Sequence, residues 1–220
     1  MKTLKIIAAS VLLVSGMTVK SFAGASDFAG PYIGVTGAAV GAAIDGNYTD
    51  GTSNARTSKG VAGAVSMAAG FEAGFNLALN DIAFVSIVAS HNPVDAEFKA
   101  DDAVNADDIT LSFDDITEVA IEPSFSITDN SAFFVKAGYS EFTITAKGTG
   151  LDANQSFDIT GDSFGLGTKT ITANGVYIKT EVGMTTYDGF TLKNVGTNDG
   201  TSKIADIQTA YGKITIAKKF

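Results

Sequence analysis

Ser90 and His91 are residue types that could together support nucleophilic catalysis, and His91 is the only histidine in the sequence. A serine nucleophile needs a histidine base within hydrogen-bond reach, and that base is oriented by a third group. The run of residues ending here predicts a β-strand, and adjacent residues of a strand point to opposite faces. We therefore expect His91 to be a solvated residue at a strand end, and we predict no catalytic residues.

Acidic residues are concentrated between Asp95 and Asp108, where Lys99 is the only basic residue. The segment lacks the D-x-D-x-D-G spacing of a preformed calcium loop, so it favours a solvated loop over a divalent cation site. Gly165 and Gly167 precede no helix, and they indicate close packing rather than phosphate binding. The sequence has no cysteine, which excludes disulfides and thiolate metal sites. We predict no metal site and no cofactor.

A third set of charged residues alternates with small and polar residues in runs that predict strands. Its members are Glu72, Glu118, Glu122, Lys136, Lys179, Glu181 and Lys213. In a wide pore such charges would set ion selectivity, but an eight-stranded barrel is only wide enough inside for side chains. We expect these charges to pair and close the interior. Glu122 and Lys136 are the predicted partners, because their strands meet at the turn formed by Asp129 and Asn130.

The strand predicted at residues 61–77 shows which kind of fold holds these charges. Its odd positions include Val65, Met67, Phe71 and Phe75, and its even positions are small or polar. This period of two predicts a strand about 55 Å long with one apolar face. Lipid outside and a polar interior are typical of a transmembrane β-barrel. A soluble β-sandwich is the less favoured fold, because it does not need strands of this length.

The same reasoning predicts an all-β chain of eight antiparallel strands in an up-and-down barrel. The strands are predicted at residues 32–44, 61–77, 82–90, 109–127, 132–145, 164–172, 176–187 and 204–220. Three tight turns alternate with four long loops, which in bacterial barrels lie at the periplasm and outside the cell, respectively. Leu111, Phe113 and Val119 are predicted to face lipid together. Pro123 is expected to cost a ladder bond, because proline cannot donate one.

Residues 1–23 predict a cleavable signal peptide rather than part of the fold. Lys2 and Lys5 precede a short apolar run, and the small residues Ser21 and Ala23 predict cleavage before Gly24. Cleavage would lower the net charge from −9 to −12, because it removes three lysines and no acid. So acidic a chain is not expected to bind nucleic acid. The barrel domain is therefore predicted at residues 24–220.

Several short motifs, in order, resemble those of a known family, the eight-stranded outer-membrane barrels like outer-membrane protein A and the opacity proteins. They are Gly30-Pro31-Tyr32-Ile33-Gly34, Gly70-Phe71-Glu72-Ala73-Gly74-Phe75, Glu122-Pro123, Thr128-Asp129-Asn130, Lys136-Ala137-Gly138-Tyr139-Ser140, Gly165-Leu166-Gly167, Tyr177 with Glu181, and Phe220. The resemblance spans nearly the whole chain after residue 23. It implies a Gram-negative outer-membrane protein with a structural or surface-contact role.

The resemblance also implies partners for the chain. They are outer-membrane lipid, an unknown surface ligand held by the loops, and the barrel-assembly machinery. That machinery would read Ile214, Ile216 and Phe220 as a C-terminal assembly signal, although Lys218 stands where such barrels usually carry an aromatic residue. The alternative function is a narrow porin-like channel for ions or small solutes. A lipid-modifying outer-membrane enzyme is less favoured than either.

Overall fold

The computed structural model describes residues 24–49, 57–101, 108–148, 151, 153–195 and 200–220. The predicted signal peptide, with Ala23 at its end, lies outside this part of the chain, and Gly24 is the first residue inside it. A helix of four residues, α1 (Ala25–Phe28), precedes the first strand. No helix in this part of the chain is long and apolar enough to cross a membrane.

Eight strands follow α1 and form a closed antiparallel barrel. They are β1 (Gly30–Thr49), β2 (Thr57–Ala78), β3 (Ala83–Asp101), β4 (Asp108–Thr128), β5 (Ser131–Gly148), β6 (Gln155–Ile171), β7 (Val176–Val195) and β8 (Gly200–Lys219). Each strand pairs with the next, and β8 pairs with β1 to close the sheet. This confirms the predicted fold class and the number of strands.

The turn end of the barrel carries an apolar band on its outside, as the alternation predicts. Exposed large apolar side chains on its strands include Ile33, Val35, Phe71, Ile87, Val119, Tyr139, Leu166, Val182, Ile214 and Ile216. Residues between them in sequence, such as Glu72 and Lys213, are buried inside. A soluble protein would bury such a band, so this half of the barrel is built to face lipid.

Pro123 leaves a gap in the ladder between β4 and β5, as expected. The pairing runs to Ile121↔Ala137 and resumes at Ser124↔Phe134 with the register unchanged. On the other side Pro123 still pairs with Val85 of β3. The barrel therefore accommodates the missing N–H without a slip of register.

The strands reach further toward the loop end than the sequence predicted. The long loop predicted at residues 91–108 is wrong over 91–101 and at 108, because β3 extends to Asp101 and β4 begins at Asp108. Likewise β6 begins at Gln155, although the sequence predicts a loop up to Ser163. Polar residues there do not end the strands, since outside the membrane a strand can present polar side chains to water.

Leu111 and Phe113 point into the barrel, which corrects their predicted lipid-facing position. The pairing of β4 with β5 shifts register between Asp114 and Thr117, and Asp115 has a φ of 54°. An extra residue at a β-bulge moves every residue beyond it to the opposite face. The odd-numbered residues of β4 thus face outward from Thr117 onward but face the interior before the bulge.

The interior of the loop end is consequently apolar. A set of buried residues, the outer cluster, comprises Ile44, Leu111, Phe113, Phe142, Ile144, Ala146, Leu151, Ile159, Tyr187, Phe190, Leu192, Ile204 and Ile207. Phe142 packs edge-on against Tyr187 with ring centroids 4.6 Å apart, and Phe157 lies 4.8 Å from Phe190. The exterior at this level is polar, with Thr143 donating to Asp158 at 3.0 Å. This half is therefore organised like a water-soluble β-barrel.

At the turn end, α1 fills the mouth of the barrel. Phe28 is fully buried, stacks on Phe84 at 4.9 Å and meets Tyr177 edge-on. Asn76 Nδ2 donates to the Phe28 carbonyl at 2.8 Å, and the Ala25 N–H donates to the carbonyl of Asp81 at 3.1 Å. The segment just after the predicted cleavage point is thus packed inside the barrel.

Candidate functional site

Four glutamates and four lysines meet in the middle of the barrel and form a group we call the charge cluster. Its members are Glu72, Glu118, Glu122, Lys136, Lys169, Lys179, Glu181 and Lys213. Seven of them are the predicted interior charges, and the structure places all seven here. Formal charges cancel, and each lysine lies within ion-pair distance of at least one carboxylate.

Lys179 of β7 is the centre of the charge cluster. Its Nζ lies 2.9 Å from Glu72 Oε1, 2.5 Å from Glu122 Oε1 and 3.3 Å from Glu181 Oε2. The side chains of all four residues are fully shielded from solvent. These partners come from β2, β4 and β7, so the contacts cross the interior rather than follow one pair of strands. A buried ammonium group needs such compensation, because desolvation of an unpaired charge is costly.

The other lysines extend the charge cluster around the wall. Lys136 Nζ lies 2.7 Å from Glu118 Oε1 and 2.5 Å from Glu181 Oε1. Lys213 Nζ lies 3.1 Å from Glu72 Oε2 and 3.4 Å from Glu181 Oε2. Glu72 and Glu181 therefore each bridge more than one lysine, and the pairs form one connected network.

Hydroxyl groups supply further hydrogen bonds to the carboxylates. Tyr32 donates to Glu72 at 3.1 Å, Ser163 to Glu118 at 2.5 Å, and Tyr211 to Glu181 at 2.6 Å. Because carboxylate oxygens can accept several bonds, these donors satisfy positions that the lysines leave open. The cluster is held by neutral donors as well as by charge.

Lys169 is the member that sequence reasoning missed. Its Nζ lies 2.8 Å from Glu122 Oε2 and donates to Ser86 Oγ at 2.6 Å. It also lies 4.8 Å from the centroid of the Phe134 ring, within cation–π range. The sequence does not determine which face of β6 points inward, since apolar residues such as Leu166 and Ile171 occur on both faces. If Gly165 and Gly167 are taken to face the interior, the period of two along the strand places Lys169 on the same inner face.

The predicted ion pair between Glu122 and Lys136 is replaced by other pairs. The two strands are neighbours as expected, with Ile121 opposite Ala137. However, Glu122 pairs with Lys169 and Lys179, whereas Lys136 pairs with Glu118 and Glu181. Interior side chains contact partners on strands across the barrel, whereas a turn defines only the neighbours on the two strands that it joins.

Gly165 and Gly167 allow the charge cluster to pack against the wall. A Cβ on Gly165 would lie 3.2 Å from Glu181 Oε1 and 3.3 Å from the Tyr211 hydroxyl. A Cβ on Gly167 would overlap the Thr180 carbonyl and come within 2.8 Å of the Phe134 ring. These contacts agree with close packing, the role predicted for the two glycines.

Ser90 and His91 lie on opposite faces of β3. Ser90 is buried inside the barrel, while His91 is exposed and has its Nδ1 3.2 Å from Thr117 Oγ1. Its Nε2 lies 3.9 Å from Asp115 Oδ1, at the β4 bulge. A serine on the opposite face cannot use this imidazole as a base. Within the described part of the chain, no group of three or more Asp, Glu, His or Cys residues is arranged to hold a metal ion.

The residues of the predicted assembly signal lie on the outside of β8 and at the chain end. Ile214, Ile216 and Phe220 are exposed on the apolar band or its rim. Lys218, the departure from the family pattern, donates to the carbonyl of Asn174 in the turn between β6 and β7. The three apolar residues are therefore accessible from the lipid side, as a recognition signal would require.

The barrel is similar in fold to solved structures of other proteins at low sequence identity. Ail, the attachment invasion locus protein of Yersinia pestis, is 13% identical with a TM-score of 0.42, over 84% of this chain and 98% of that one. The outer membrane protein OprG of Pseudomonas aeruginosa is 14% identical with a TM-score of 0.46, over 91% and 99%. The outer membrane protease OmpT of Escherichia coli is 6% identical with a TM-score of 0.46, over 92% and 99%.

No protein-family model matches the sequence, and no curated protein matches it. The molecule's own features identify its class: a closed eight-stranded antiparallel barrel with an exposed apolar band and a polar interior at the same level. Barrels of this construction are proteins of the bacterial outer membrane. The chain is therefore an eight-stranded outer-membrane β-barrel.

Proposed function

We propose that this protein is a non-conducting outer-membrane barrel with a structural or surface-contact role rather than a pore or an enzyme. The charge cluster carries the proposal. It crosses the interior from β2 to β7 with side chains that are almost completely shielded from solvent. Ions have no open path through a neutral, mutually paired set of side chains that fills the cross-section.

The form of the loop end supports a role at the cell surface. Its strands continue beyond the apolar band and are stabilised by the outer cluster inside. Polar contacts also join neighbouring strands there, with Thr160 donating to Asp188 at 3.2 Å and Gln155 Nε2 donating to the Lys193 carbonyl at 2.6 Å. This gives a rigid base for the loops, which would present a binding surface to an external ligand.

Conductance in planar lipid bilayers tests the proposal. We expect monomeric protein to show no stable current steps, because the charge cluster seals the interior. A charge-neutral control, Glu118→Ser with Lys136→Ser, removes the ion pairs of Lys136 with Glu118 and Glu181 and shortens two interior side chains. It should leak more than the parent, with folding checked by the resistance of the barrel to unfolding on gels. Stable, uniform channels from the parent protein would instead favour the narrow-pore alternative.

A further inference from the structure

The barrel wall is incomplete between β2 and β3. Their ladder runs from Ala78↔Phe84 only as far as Phe71↔His91. Among the described residues, no ladder pair joins β2 to β3 beyond that point, although β2 continues to pair with β1 as far as Thr49↔Thr57. On the other side, β3 continues to pair with β4 to Asp101↔Asp108. The sheet therefore separates into two hairpins at this position.

Exposure of the β2 side chains reflects this separation. Val65 and Met67 are 82% and 79% exposed, whereas Leu166 and Val182, which face lipid between two paired strands, are 48% and 57% exposed. Residues 67–70 of β2 and residues 91 and 92 of β3 border the lower part of the gap, which we call the slit. Met67 continues the lipid-facing row of Phe71, so the slit opens toward the bilayer.

Asn92 marks the base of the slit. Its Oδ1 accepts a hydrogen bond from Thr36 Oγ1 of β1 at 3.1 Å, so its side chain reaches past β2 inside the barrel. Gly70 of β2 makes room for it, because a Cβ there would lie 2.3 Å from both Asn92 Oδ1 and the His91 carbonyl. The polar exterior begins at the same level, where His91 pairs with Thr117 and Thr117 pairs with Glu141. The slit thus lies at the boundary between the outer leaflet and water.

A cavity of about 100 Å³ lies behind the slit, between the charge cluster and the outer cluster. Its apolar lining includes Ile116, Phe142 and Ile207, while Ser66, Ala68 and Asn92 line it next to the slit. An apolar cavity of about 150 Å³ holds benzene, so a cavity of this size suits only a small molecule. Glu118 and Lys213 of the charge cluster lie at its edge, so the cavity is closed toward the turn end.

We propose that this cavity binds a small uncharged amphiphile that passes through the slit from the outer leaflet. The apolar body of the ligand lies against Ile116, Phe142 and Ile207. Its single polar group stays near Asn92 and Ser66, at the level where the exterior becomes polar. A charged molecule would lose its hydration there without a free partner, because Glu118 and Lys213 already form ion pairs within the charge cluster. The site is independent of the role proposed for the loops, since it lies within the barrel wall.

Methyl NMR of the protein in lipid nanodiscs, titrated with p-cresol, tests the site. The δ1 methyls of Ile116 and Ile207 report on the cavity, those of Ile178 and Ile214 on the lipid face, and that of Ile171 on the interior at the turn end. We expect saturable shifts at Ile116 and Ile207. Ile178 and Ile214 should shift only in proportion to the p-cresol dissolved in the bilayer, and Ile171 should not shift. Parallel, non-saturating shifts at Ile116, Ile207, Ile178 and Ile214 would overturn the proposal.

Two adjacent substitutions on β2 provide a matched pair. Ala68→Phe fills the cavity beside the slit and should abolish the saturable shifts. Ala69→Phe adds the same ring to the lipid face of the same strand and should preserve them. If Ala68→Phe does not fold, Ser66→Leu fills the cavity with a smaller group and should weaken the saturation. Saturable shifts that survive a folded cavity-filling variant would place the ligand elsewhere.

A charged analogue tests the route by which the ligand enters. NMR contacts between the cavity methyls and lipid chains test whether a lipid is the occupant. p-Hydroxybenzenesulfonate stays in water and should produce no shift at Ile116 or Ile207. A saturable shift with this anion would show access from water and would refute the lateral route. Contacts between these methyls and lipid chain protons before p-cresol is added would show that a lipid chain occupies the cavity and would overturn the proposal of a small amphiphile. Without such contacts, saturation by p-cresol supports the site with a free amphiphile as the source.

Discussion

The two halves of this barrel use the same alternating strands with opposite polarity. At the turn end the outside is apolar and the inside carries the charge cluster, whereas at the loop end the outside is polar and the inside is the outer cluster. The medium around each half accounts for the difference. In lipid, apolar side chains are stable on the outside, whereas in water the hydrophobic effect favours their burial inside. In β4 the change occurs at one bulge between Asp114 and Thr117. The odd-numbered residues face inward on the loop-end side of the bulge and outward on its turn-end side.

We expect the largest loss of stability when the central charge of the turn end is removed. Lys179→Met leaves Glu72, Glu122 and Glu181 short of a shared partner inside the barrel. Removing one member of a buried ion pair typically costs about 3–5 kcal/mol. We expect a loss of unfolding free energy in that range, measured by urea titration in lipid vesicles. The control is Lys203→Met, which changes an exposed lysine of the loop end and should have little effect. Equal losses in the two variants would contradict a special role for the cluster.

The corresponding test at the loop end creates a cavity in the outer cluster. Ile144 is fully buried there, opposite Phe113 of β4 and Phe157 of β6. Ile144→Ala should cost about 2–5 kcal/mol, as large-to-small substitutions in protein cores do. Hydrogen exchange should show the loss of protection concentrated in the loop end. A loss spread evenly over both halves would mean that they unfold as a single unit.

The sequence predicts much of the turn end because one simple rule holds there. Alternation and the need for an apolar outer face place Glu72, Lys136 and Lys213 inside correctly. Applied to Leu111 and Phe113, the same rule fails, because it assumes lipid where the structure has a water-exposed exterior. The bulge itself is signalled only by Asp115 and Ile116, which interrupt the alternation without showing how the parity changes.

The identity of the ion-pair partners could not be predicted for a different reason. Glu122 of β4 meets Lys179 of β7 across the interior, and such contacts depend on how the closed barrel staggers its strands. Local turn geometry identifies neighbours on adjacent strands, such as Ile121 and Ala137, but not which charged side chains turn toward each other. The slit could likewise not be predicted from the sequence, because apolar residues alternate with small or polar ones in β2 without interruption through Gly70 and Phe71.

A charge placed on the outside of each half should separate the two media. Ala73 faces lipid on β2 within the apolar band, where it pairs with Ile33, so Ala73→Arg should cost about 2–4 kcal/mol near the bilayer midplane. Ser156 is exposed on the polar exterior of the loop end, where Ser156→Arg should change stability by no more than about 0.5 kcal/mol. Folding yield into liposomes and urea unfolding measure both variants. Similar costs would show that the two positions share one environment.

The smallest expected effect concerns which lysine is energetically coupled to Glu122. Two double-mutant cycles share Glu122→Gln, one combined with Lys169→Met and the other with Lys136→Met. Lys169 Nζ lies 2.8 Å from Glu122 Oε2, whereas Lys136 forms its ion pairs with Glu118 and Glu181. Contacting residues typically show coupling energies of about 0.5–3 kcal/mol.

We therefore expect coupling in that range for Glu122 with Lys169 and a smaller value for Glu122 with Lys136. The second value need not vanish, because Lys179 pairs with both Glu122 and Glu181 and so links the two cycles through one network. Urea unfolding in vesicles gives the four free energies of each cycle. A larger coupling with Lys136 would restore the pairing across the β4–β5 turn. The interior charges would then follow neighbouring strands, as at an ordinary sheet surface, instead of meeting across the closed barrel.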